Sequence, residues 1–290
     1  MSAKGRGVAI VLAAAFFISV ANVLAPIIYA GGSNALTYLT LRFLCFVVFC
    51  RLWFWIRSKS PALSPRLRLI ANGVGVAFAV GAGALLSAFA YMPVSMVVLI
   101  FYLYPLLTMI AACVLDRRRP TAIEIMCLVV AFMGLSLALE VSFASLDPTG
   151  FGLSILSAFG IATAFVWSGR SLQDLDNSIS TFHMAVGALV VAGLVTLATG
   201  SFTLEISSTL GWLALAVAML SFTTAFFAVF QGVRMIGPVR LAMFMNMEPV
   251  FTIALSLMFL GESLTLQQYA GAALVIGAVT VAQRPVREAD

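Results

Sequence analysis

The stretch YPLLTMI, residues 104–110, recurs 144 positions later in the chain as EPVFTIA, residues 248–254. Aligning the two stretches places Pro105 on Pro249, and the threonine three residues further on is matched as well. Two apolar helices rich in Ala, Leu and Gly often align by chance, but a matched proline followed by a matched threonine is much less common. The pair therefore indicates an internal repeat, which constrains the architecture before any single helix is assigned.

A second match extends the repeat to the start of each half. At an offset of 143 residues, GVAIVLAAAFFI (residues 7–18) aligns with GFGLSILSAFGI (residues 150–161), and the two stretches share a glycine, a phenylalanine and an isoleucine at equivalent positions. The two matches together predict two repeated domains, residues 1–146 and residues 147–290.

The composition predicts an integral membrane protein in contact with the lipid bilayer. Of the 290 residues, 62% are hydrophobic and 9% are charged, and the mean hydropathy is +1.11, more than the core of a soluble domain requires. The net charge of +5 does not indicate a nucleic-acid partner, because the basic residues lie in short gaps between apolar runs. The 4 cysteines lie inside apolar runs without a CxxC or Cys/His cluster, so no metal or other cofactor is expected.

Apolar runs of about 17 to 25 residues, long enough to cross a bilayer as helices, occur throughout the chain. Dividing the chain at short gaps that hold Gly, Pro and charged residues predicts ten transmembrane helices and no soluble domain. The predicted spans are residues 7–29, 36–56, 69–91, 94–115, 121–140, 150–168, 178–199, 209–233, 238–260 and 265–283.

The basic residues predict the orientation, because Lys and Arg in short loops remain on the cytoplasmic side. With the N-terminus inside, every Lys and Arg except Arg42 falls at the cytoplasmic end of a span, and the outer gaps contain none. Both termini are therefore predicted to be cytoplasmic. The residues assigned to the cytoplasmic side are Lys4, Arg6, Arg51, Arg57, Lys59, Arg66, Arg68, Arg117, Arg118, Arg119, Arg170, Arg234, Arg240, Arg284 and Arg287.

Each half contains five predicted spans, an odd number, so the second half must enter the membrane from the opposite side. The predicted fold is an all-α membrane protein with ten transmembrane helices in two inverted five-helix repeats. Inverted repeats are typical of alternating-access transporters, in which the substrate binds near the middle of the bilayer where the halves meet.

With these features the sequence resembles the paired EamA domains of the drug/metabolite transporter superfamily, over nearly the whole chain. The resemblance is carried by LRF (residues 41–43), YPLLT (104–108) and, most specifically, EPVFTIALSLMFLGESLTLQQYAGAALVIGAV (248–279). It departs from the family pattern at DRRRPT (116–121), where the counterpart of GESLT has no Gly-Glu pair. The resemblance implies a multi-pass protein of the bacterial inner (plasma) membrane that moves small metabolites, with the YddG-like aromatic amino acid exporters as the expected branch.

Glu248 lies about ten residues into its predicted span, where an acidic side chain exposed to lipid costs about 3 kcal/mol. We expect it to face protein or water, either as a buried carboxyl group bonded to another helix or as a cavity residue that holds an ammonium group or a proton. Helical spacing places it on a polar-leaning stripe, which we predict faces the matching stripe of the fourth span across a central cavity. The two stripes are Met245, Glu248, Thr252 and Ser256, and Phe101, Tyr104, Thr108 and Ala112.

The two matched prolines add polar groups to the same region, since each lacks an N–H and releases the carbonyl four residues earlier. Within a membrane a released carbonyl requires a neighbouring donor, a water or a substrate cation, unless the proline merely kinks the helix. The released carbonyls belong to Phe101 and Met245, and the neighbouring candidates for the cavity are Tyr102 and Asn246.

Arg42 is expected either to extend to the outer interface or to bind a carboxylate or form an ion pair in an outward vestibule. Trp167, near the cytoplasmic end of the sixth span, is interpreted as an interface anchor or a gate. Polar residues of two further helices either bond helices together or contact the substrate. These are Asn22 in the first span and Ser221, Thr224 and Gln231 in the eighth.

The leading functional hypothesis is a secondary carrier that exports small metabolites, principally amino acids including aromatic ones, through a central cavity. The alternative is a proton-coupled drug or cation exporter that uses Glu248. No GxxxxGK[ST] motif indicates ATP binding, the single histidine forms no catalytic set for an enzyme, and no charged ring or filter loop indicates a channel. The expected partner is a small-molecule substrate, and no obligatory protein partner is evident.

Overall fold

The computed structural model describes residues 3–140, 147–260 and 265–282, which form thirteen helices. The described residues contain no strand beyond an isolated antiparallel bridge between Ser33 and Leu204. The helices are α1 (Ala3–Val23), α2 (Ala25–Ala30), α3 (Ala35–Ile56), α4 (Pro65–Ala88), α5 (Val94–Phe101), α6 (Tyr104–Leu115), α7 (Ala122–Ala138), α8 (Pro148–Ser171), α9 (Asn177–Ala198), α10 (Thr209–Ile236), α11 (Pro238–Met245), α12 (Met247–Leu260) and α13 (Leu266–Ala282).

The predicted all-helical membrane architecture is confirmed. Within the described residues, seven helical segments are long and apolar enough to cross a membrane, with α1 and α2 counted together and α5 and α6 counted together. Two further apolar helices, α7 and α13, are 17 residues each, and α11 and α12 divide the predicted ninth span. Joining the interrupted pairs groups the helices into ten segments, but the number of membrane crossings stays a prediction.

Three predicted spans are interrupted rather than continuous, and each interruption precedes a proline. The first span breaks at Leu24, the fourth at residues 102–103 and the ninth at Asn246. The cause is the missing proline N–H together with the steric restriction on the residue before the ring. The sequence interpretation anticipated a released carbonyl or a kink at Pro105 and Pro249, and it missed the break before Pro26.

Some sequence predictions lie outside the described residues. These are the predicted outer gaps over 141–146 and 261–264, including GES, the side chain of Ser256, and the C-terminal Arg284 and Arg287.

Loops predicted to be cytoplasmic lie together at one end of the bundle, the basic end. Lys59 forms an ion pair with Asp176 at 3.4 Å, and Arg170 pairs with Asp116. The Ser178 hydroxyl donates to Asp176 and, together with Lys59, lowers the pKa of that carboxyl group below its ordinary value. The loops of the basic end are residues 57–64, 116–121 and 172–176.

Loops predicted to be external contact one another at the opposite end. Asn34 caps α3 by accepting from the Thr37 backbone N–H at 2.9 Å, and its Nδ2 donates to Thr203 Oγ1 at 2.8 Å. The bridge between Ser33 and Leu204 lies beside this contact. The two sets of predicted loops are therefore segregated in the folded chain. The loops of the opposite end are residues 31–34, 89–93 and 199–208.

The helices of the two halves pack in exchanged pairs. α4 packs on α8, and the corresponding helices of the other half, α10 for α4 and α1 for α8, also pack on each other. In the same way α6 packs on α8, and its counterpart α12 packs on α1. α7 and its counterpart α13 form a pair of their own. Such exchanged pairs are expected for two halves related by a two-fold axis. The pairs surround the region where α1, α8, α4 and α10 approach one another.

Close backbone contacts set the position of α4. A Cβ atom at Gly75 would overlap the carbonyl oxygen of Met184 on α9, and one at Gly187 would overlap the carbonyl oxygen of Asn72. These contacts hold α4 against α9 and so position the cavity-facing part of α4.

Candidate functional site

A cavity of about 130 Å³ lies between the two halves of the protein. Nine helices, four from the second half and five from the first, contribute to its wall, which is mainly apolar and aromatic. A small concave site with a few convergent polar groups is typical of a small-molecule binding site. The cavity is lined by Ile18, Asn22, Leu39, Arg42, Phe78, Ala82, Phe101, Tyr104, Ile161, Phe165, Phe222, Phe226, Val229, Met245 and Glu248.

Asn22 connects two opposite charges in the wall of this cavity. Its Nδ2 donates to Glu248 Oε1 at 3.0 Å, and its Oδ1 accepts from Arg42 Nη2 at 3.2 Å. The ion pairs in the described part of the chain include neither Arg42 nor Glu248, so the two charges meet only through the amide. The arrangement presents a positive and a negative group to one small space.

Arg42 lines the cavity, and its guanidinium contacts two aromatic rings beside it. Its guanidinium carbon lies 4.0 Å from the centre of the Tyr38 ring and 5.1 Å from that of Phe222, which are cation–π distances. Nη2 also donates to the Ala21 carbonyl at 3.5 Å. Its Nε is buried and has no hydrogen-bond partner among the described residues, which leaves a donor for an additional acceptor.

The backbone of Glu248 is fixed where the ninth span resumes as α12. Its carbonyl accepts from Ser19 Oγ on α1 at 2.7 Å and from Thr252 Oγ1 at 3.0 Å. Ser19 is fully buried, so α1 supplies a rigid contact one turn before Asn22. The same helix therefore holds both the backbone and the carboxylate of Glu248.

Aromatic rings cover much of the remaining wall. Phe101 and Tyr104 lie on either side of the break in the fourth span, with ring centres 5.0 Å apart, and Tyr104 contacts Phe165 of α8 at 5.8 Å. Phe226 of α10 contacts Phe78 of α4 at 5.4 Å. These separations are typical of edge-to-face and tilted aromatic pairs, and Phe230 links the two groups by contacting Phe165 and Phe226.

Six predicted site residues converge on the cavity. Two come from the stripe of the fourth span, two from the stripe of the ninth, and two from outside the stripes. They are Phe101, Tyr104, Met245, Glu248, Asn22 and Arg42.

Tyr102 is buried and lies beside the Glu248 carboxyl group. It is not part of the cavity wall and lies behind it. Asn246 points elsewhere: its Nδ2 donates to the Met243 carbonyl at 3.0 Å, and it packs near Cys127 of α7. Its predicted cavity position is therefore corrected.

Two threonines of the predicted stripes bond within their own helices. Thr108 is fully buried and donates to the Tyr104 carbonyl at 2.7 Å, while half-buried Thr252 donates to that of Glu248. Neither is part of the cavity wall. Their hydroxyls stabilise the helix starts after the breaks. Among the side chains that the structure describes, the predicted stripes meet the cavity at their first two residues.

The remaining predicted residues lie away from the cavity wall. Ser221 is buried in α10, and Thr224 on the same helix is exposed and donates to the Leu220 carbonyl at 3.0 Å. Gln231 lies in a separate cleft of about 510 Å³ at the basic end. Trp167 packs against Gly73 of α4 and lines a groove on α8. It is not part of the cavity wall, where a gate would lie.

Sequence reasoning missed the aromatic residues of α8 and α10. Phe222 and Phe226 are spaced four residues apart, as are Ile161 and Phe165, so each pair occupies one helical face. That spacing was available as a signal, but Phe227 is next in sequence to Phe226 and is 40% exposed. The direction of each ring depends on helix rotation, which the spacing does not give.

Comparisons with known proteins agree with this architecture. The model of the EamA-like transporter family matches the chain twice, over residues 5–139 and 148–283. A search of curated proteins finds no significant match. Among solved structures, one described only as the crystal structure of a protein is similar in fold over 96% of both chains, with a TM-score of 0.80 and 17% sequence identity. That similarity extends to the fold alone.

Proposed function

The chain belongs to the EamA-like transporter family and is a membrane transporter of small molecules, and we propose that it is a secondary carrier that exports amino acids, aromatic ones included. The observation that carries this proposal is the pair of opposite charges, Arg42 and Glu248, in one largely apolar cavity. An amino acid has the complementary pair of charges at one end and an apolar group at the other. The direction of transport follows from the resemblance to aromatic amino acid exporters.

The polar part of the cavity suits a zwitterionic head group. The Arg42 guanidinium has only hydrogen-bond donors, and its buried Nε has no partner among the described residues, which a substrate carboxylate would supply. The ionised Glu248 carboxylate has only acceptors and suits an ammonium group. Hydrogen bonds between charged groups are stronger than neutral ones, especially where the local dielectric constant is low.

The apolar part of the cavity suits a hydrophobic side chain. Phe78, Phe101, Phe165 and Phe226 provide aromatic surface next to the charged groups. The volume of about 130 Å³ is well below the roughly 300–1,000 Å³ of drug-sized sites. The cavity as it stands therefore favours a small metabolite, and a large aromatic side chain requires the walls to separate.

The inverted arrangement of the halves supports alternating access. The first half begins with Gly7 against Met235 and Ile236 near the basic end, whereas the second half begins with Gly150 against Tyr91 and Met92 at the opposite end. The two halves thus enter the bundle from opposite ends, which makes rocking about the cavity possible. In the proposed topology the basic end, with both termini, is cytoplasmic in a bacterial-type inner membrane.

A second candidate function is a proton-coupled exporter of drugs or cations. It is favoured by Glu248, a carboxyl group in the cavity that can exchange a proton for a cation. Arg42 argues against it, since its guanidinium lies in the same wall and would repel a substrate that carries only positive charge.

Transport into liposomes that contain only this protein tests the proposal. We expect L-phenylalanine to cross faster than in empty liposomes. N-acetyl-L-phenylalanine, which lacks the ammonium group, and L-phenylalanine methyl ester, which lacks the carboxylate, should each compete at least about tenfold less well, since each loses a charged hydrogen bond.

Tetraphenylphosphonium, an aromatic cation without a carboxylate, serves as the test substrate for the second candidate function. If no amino acid crosses faster than in empty liposomes, the amino acid proposal is wrong. Uptake of tetraphenylphosphonium that is driven by a pH gradient and abolished by Glu248→Gln would instead support the second candidate.

A further inference from the structure

Asn22 separates Arg42 and Glu248, and its carboxamide resembles the head group of an amino acid. We propose that Asn22 is a positioning residue whose amide occupies the place of the substrate head group until substrate displaces it, and that it restricts the site to α-amino acids. This inference rests on the proposed function and deepens it by naming the spacing of the substrate charges.

The orientation of the Asn22 amide follows from its two partners. A guanidinium only donates and an ionised carboxylate only accepts, so the amide oxygen faces Arg42 and the amide nitrogen faces Glu248. The structure has this arrangement, with separations of 3.2 Å and 3.0 Å respectively. The oxygen of Asn22 thus takes the place of a substrate carboxylate, and its NH₂ group takes that of a substrate ammonium.

The length of the amide matches an α-amino acid. Bond lengths of about 1.23 Å for C=O and about 1.33 Å for C–N place the oxygen and nitrogen of an amide about 2.3 Å apart. In an α-amino acid, with N–Cα of about 1.46 Å and Cα–C of about 1.52 Å, the nearest carboxylate oxygen lies about 2.7 Å from the nitrogen. An α-amino acid can therefore replace the amide with little movement of Arg42 or Glu248, whereas a β-amino acid inserts one more carbon.

A neutral spacer also prevents the two charges from pairing. Opposite charges attract strongly where the effective dielectric constant is low, and direct contact would occupy the groups that the substrate needs. Arg42 is held beside the Tyr38 ring, 4.0 Å from its centre, and its Nη2 is bonded to Asn22. Removing the Asn22 amide leaves space in which Arg42 and Glu248 can approach each other.

A double-mutant cycle on the full-length protein tests this role, with L-phenylalanine binding as the readout. Asn22→Ala should weaken binding at least about tenfold, because an ion pair between Arg42 and Glu248 must first be broken. In the Glu248→Gln background no such pair forms, so adding Asn22→Ala should change binding by less than about twofold. Equal losses in both backgrounds would show a merely structural contact and overturn the inference while the proposed function stands.

The isomer 3-amino-3-phenylpropanoate provides an independent readout. The wild-type protein should bind it at least about tenfold more weakly than L-phenylalanine, because its charges are separated by one more carbon. Equal binding of the two isomers would overturn the α-amino acid restriction. Failure of the wild-type protein to bind either isomer, or any amino acid, would contradict the proposed function itself.

Asn22→Asp supplies a further variant. An acid at this position pairs with Arg42 and repels both Glu248 and the substrate carboxylate, so binding should fall at least about tenfold. Gln267→Ala, at an exposed position of α13, is the control and should bind as the wild type does. Unaltered binding by Asn22→Asp would overturn the inference.

Discussion

The fourth and ninth spans have the same backbone plan but different cavity side chains. Both spans break before a proline, between α5 and α6 ahead of Pro105 and between α11 and α12 ahead of Pro249. In both, the threonine that follows donates its hydroxyl to the carbonyl of the residue before the proline, at 2.7 Å and 3.0 Å. Local sequence thus produces the same interrupted helix twice.

The side chains next to these breaks divide the cavity into unlike walls. The fourth span contributes Phe101 and Tyr104, and the ninth contributes Met245 and Glu248 at the equivalent positions. An aromatic wall therefore faces a wall with a carboxylate, although the backbones correspond. The comparison shows how a repeated backbone that permits two-fold rocking can still bind an asymmetric substrate in one orientation.

The largest expected effect on substrate binding comes from substituting the residues that differ most between the two spans. Glu248→Gln should weaken L-phenylalanine binding about 10- to 100-fold, because a hydrogen bond to a charged group contributes about 1.5–3 kcal/mol. Tyr104→Phe keeps the ring against Phe101 and Phe165 and should change binding by less than about threefold. Isothermal titration calorimetry of the purified variants measures both.

Glu205→Gln, an exposed acidic position at the opposite end, is the control for the Glu248 variant and should bind normally. If Tyr104→Phe weakens binding as much as Glu248→Gln does, the division into an aromatic and a charged wall is wrong.

An intermediate effect is expected at the matched prolines. Pro105→Ala and Pro249→Ala should each lower the free energy of unfolding by about 0.4–1 kcal/mol, because alanine restricts the unfolded chain less than proline does. Since both prolines occupy the first turn of the helix that resumes after the break, the two losses should be similar. Chemical unfolding in detergent measures them, and opposite signs would show that the two breaks are not equivalent.

The smallest effect is expected at the matched threonines. Thr108→Val and Thr252→Val each remove one hydroxyl bond to a carbonyl within the same helix. Hydrogen bonds between membrane helices contribute about 0.6 kcal/mol on average, and we expect a bond within one helix to contribute no more. Thermal unfolding should shift slightly in both variants, with L-phenylalanine binding retained, because neither side chain lines the cavity. Loss of binding without loss of stability in Thr252→Val would restore this residue to the substrate site.

Sequence patterns identified the cavity residues that combine charge with membrane depth. Glu248 and Arg42 stand out because ionisable groups inside a bilayer require a partner or water, whatever the neighbouring helices are. Phe101, Tyr104 and Met245 followed from the repeat and helical spacing, since they lie within one turn of the break.

The same reasoning failed where it relied on position along the chain or on the helical face alone. Asn246 was predicted because it follows Met245, but successive residues of a helix point about 100° apart, so adjacency to a cavity residue does not place a side chain in the cavity. Thr108 and Thr252 are on the predicted stripes, but their hydroxyls bond back to their own helices. Helical spacing describes the face of a residue without giving the partner of its hydroxyl.

Apolar composition and the repeat around the two prolines set the helical, two-part membrane architecture, because hydrophobic runs and helix breaks depend mainly on local chemistry. The connection from Arg42 through Asn22 to Glu248 joins three separate helices, α3, α1 and α12. Only their packing brings these groups within hydrogen-bonding distance, since the rotation and depth of each helix depend on contacts with chain segments far away in sequence.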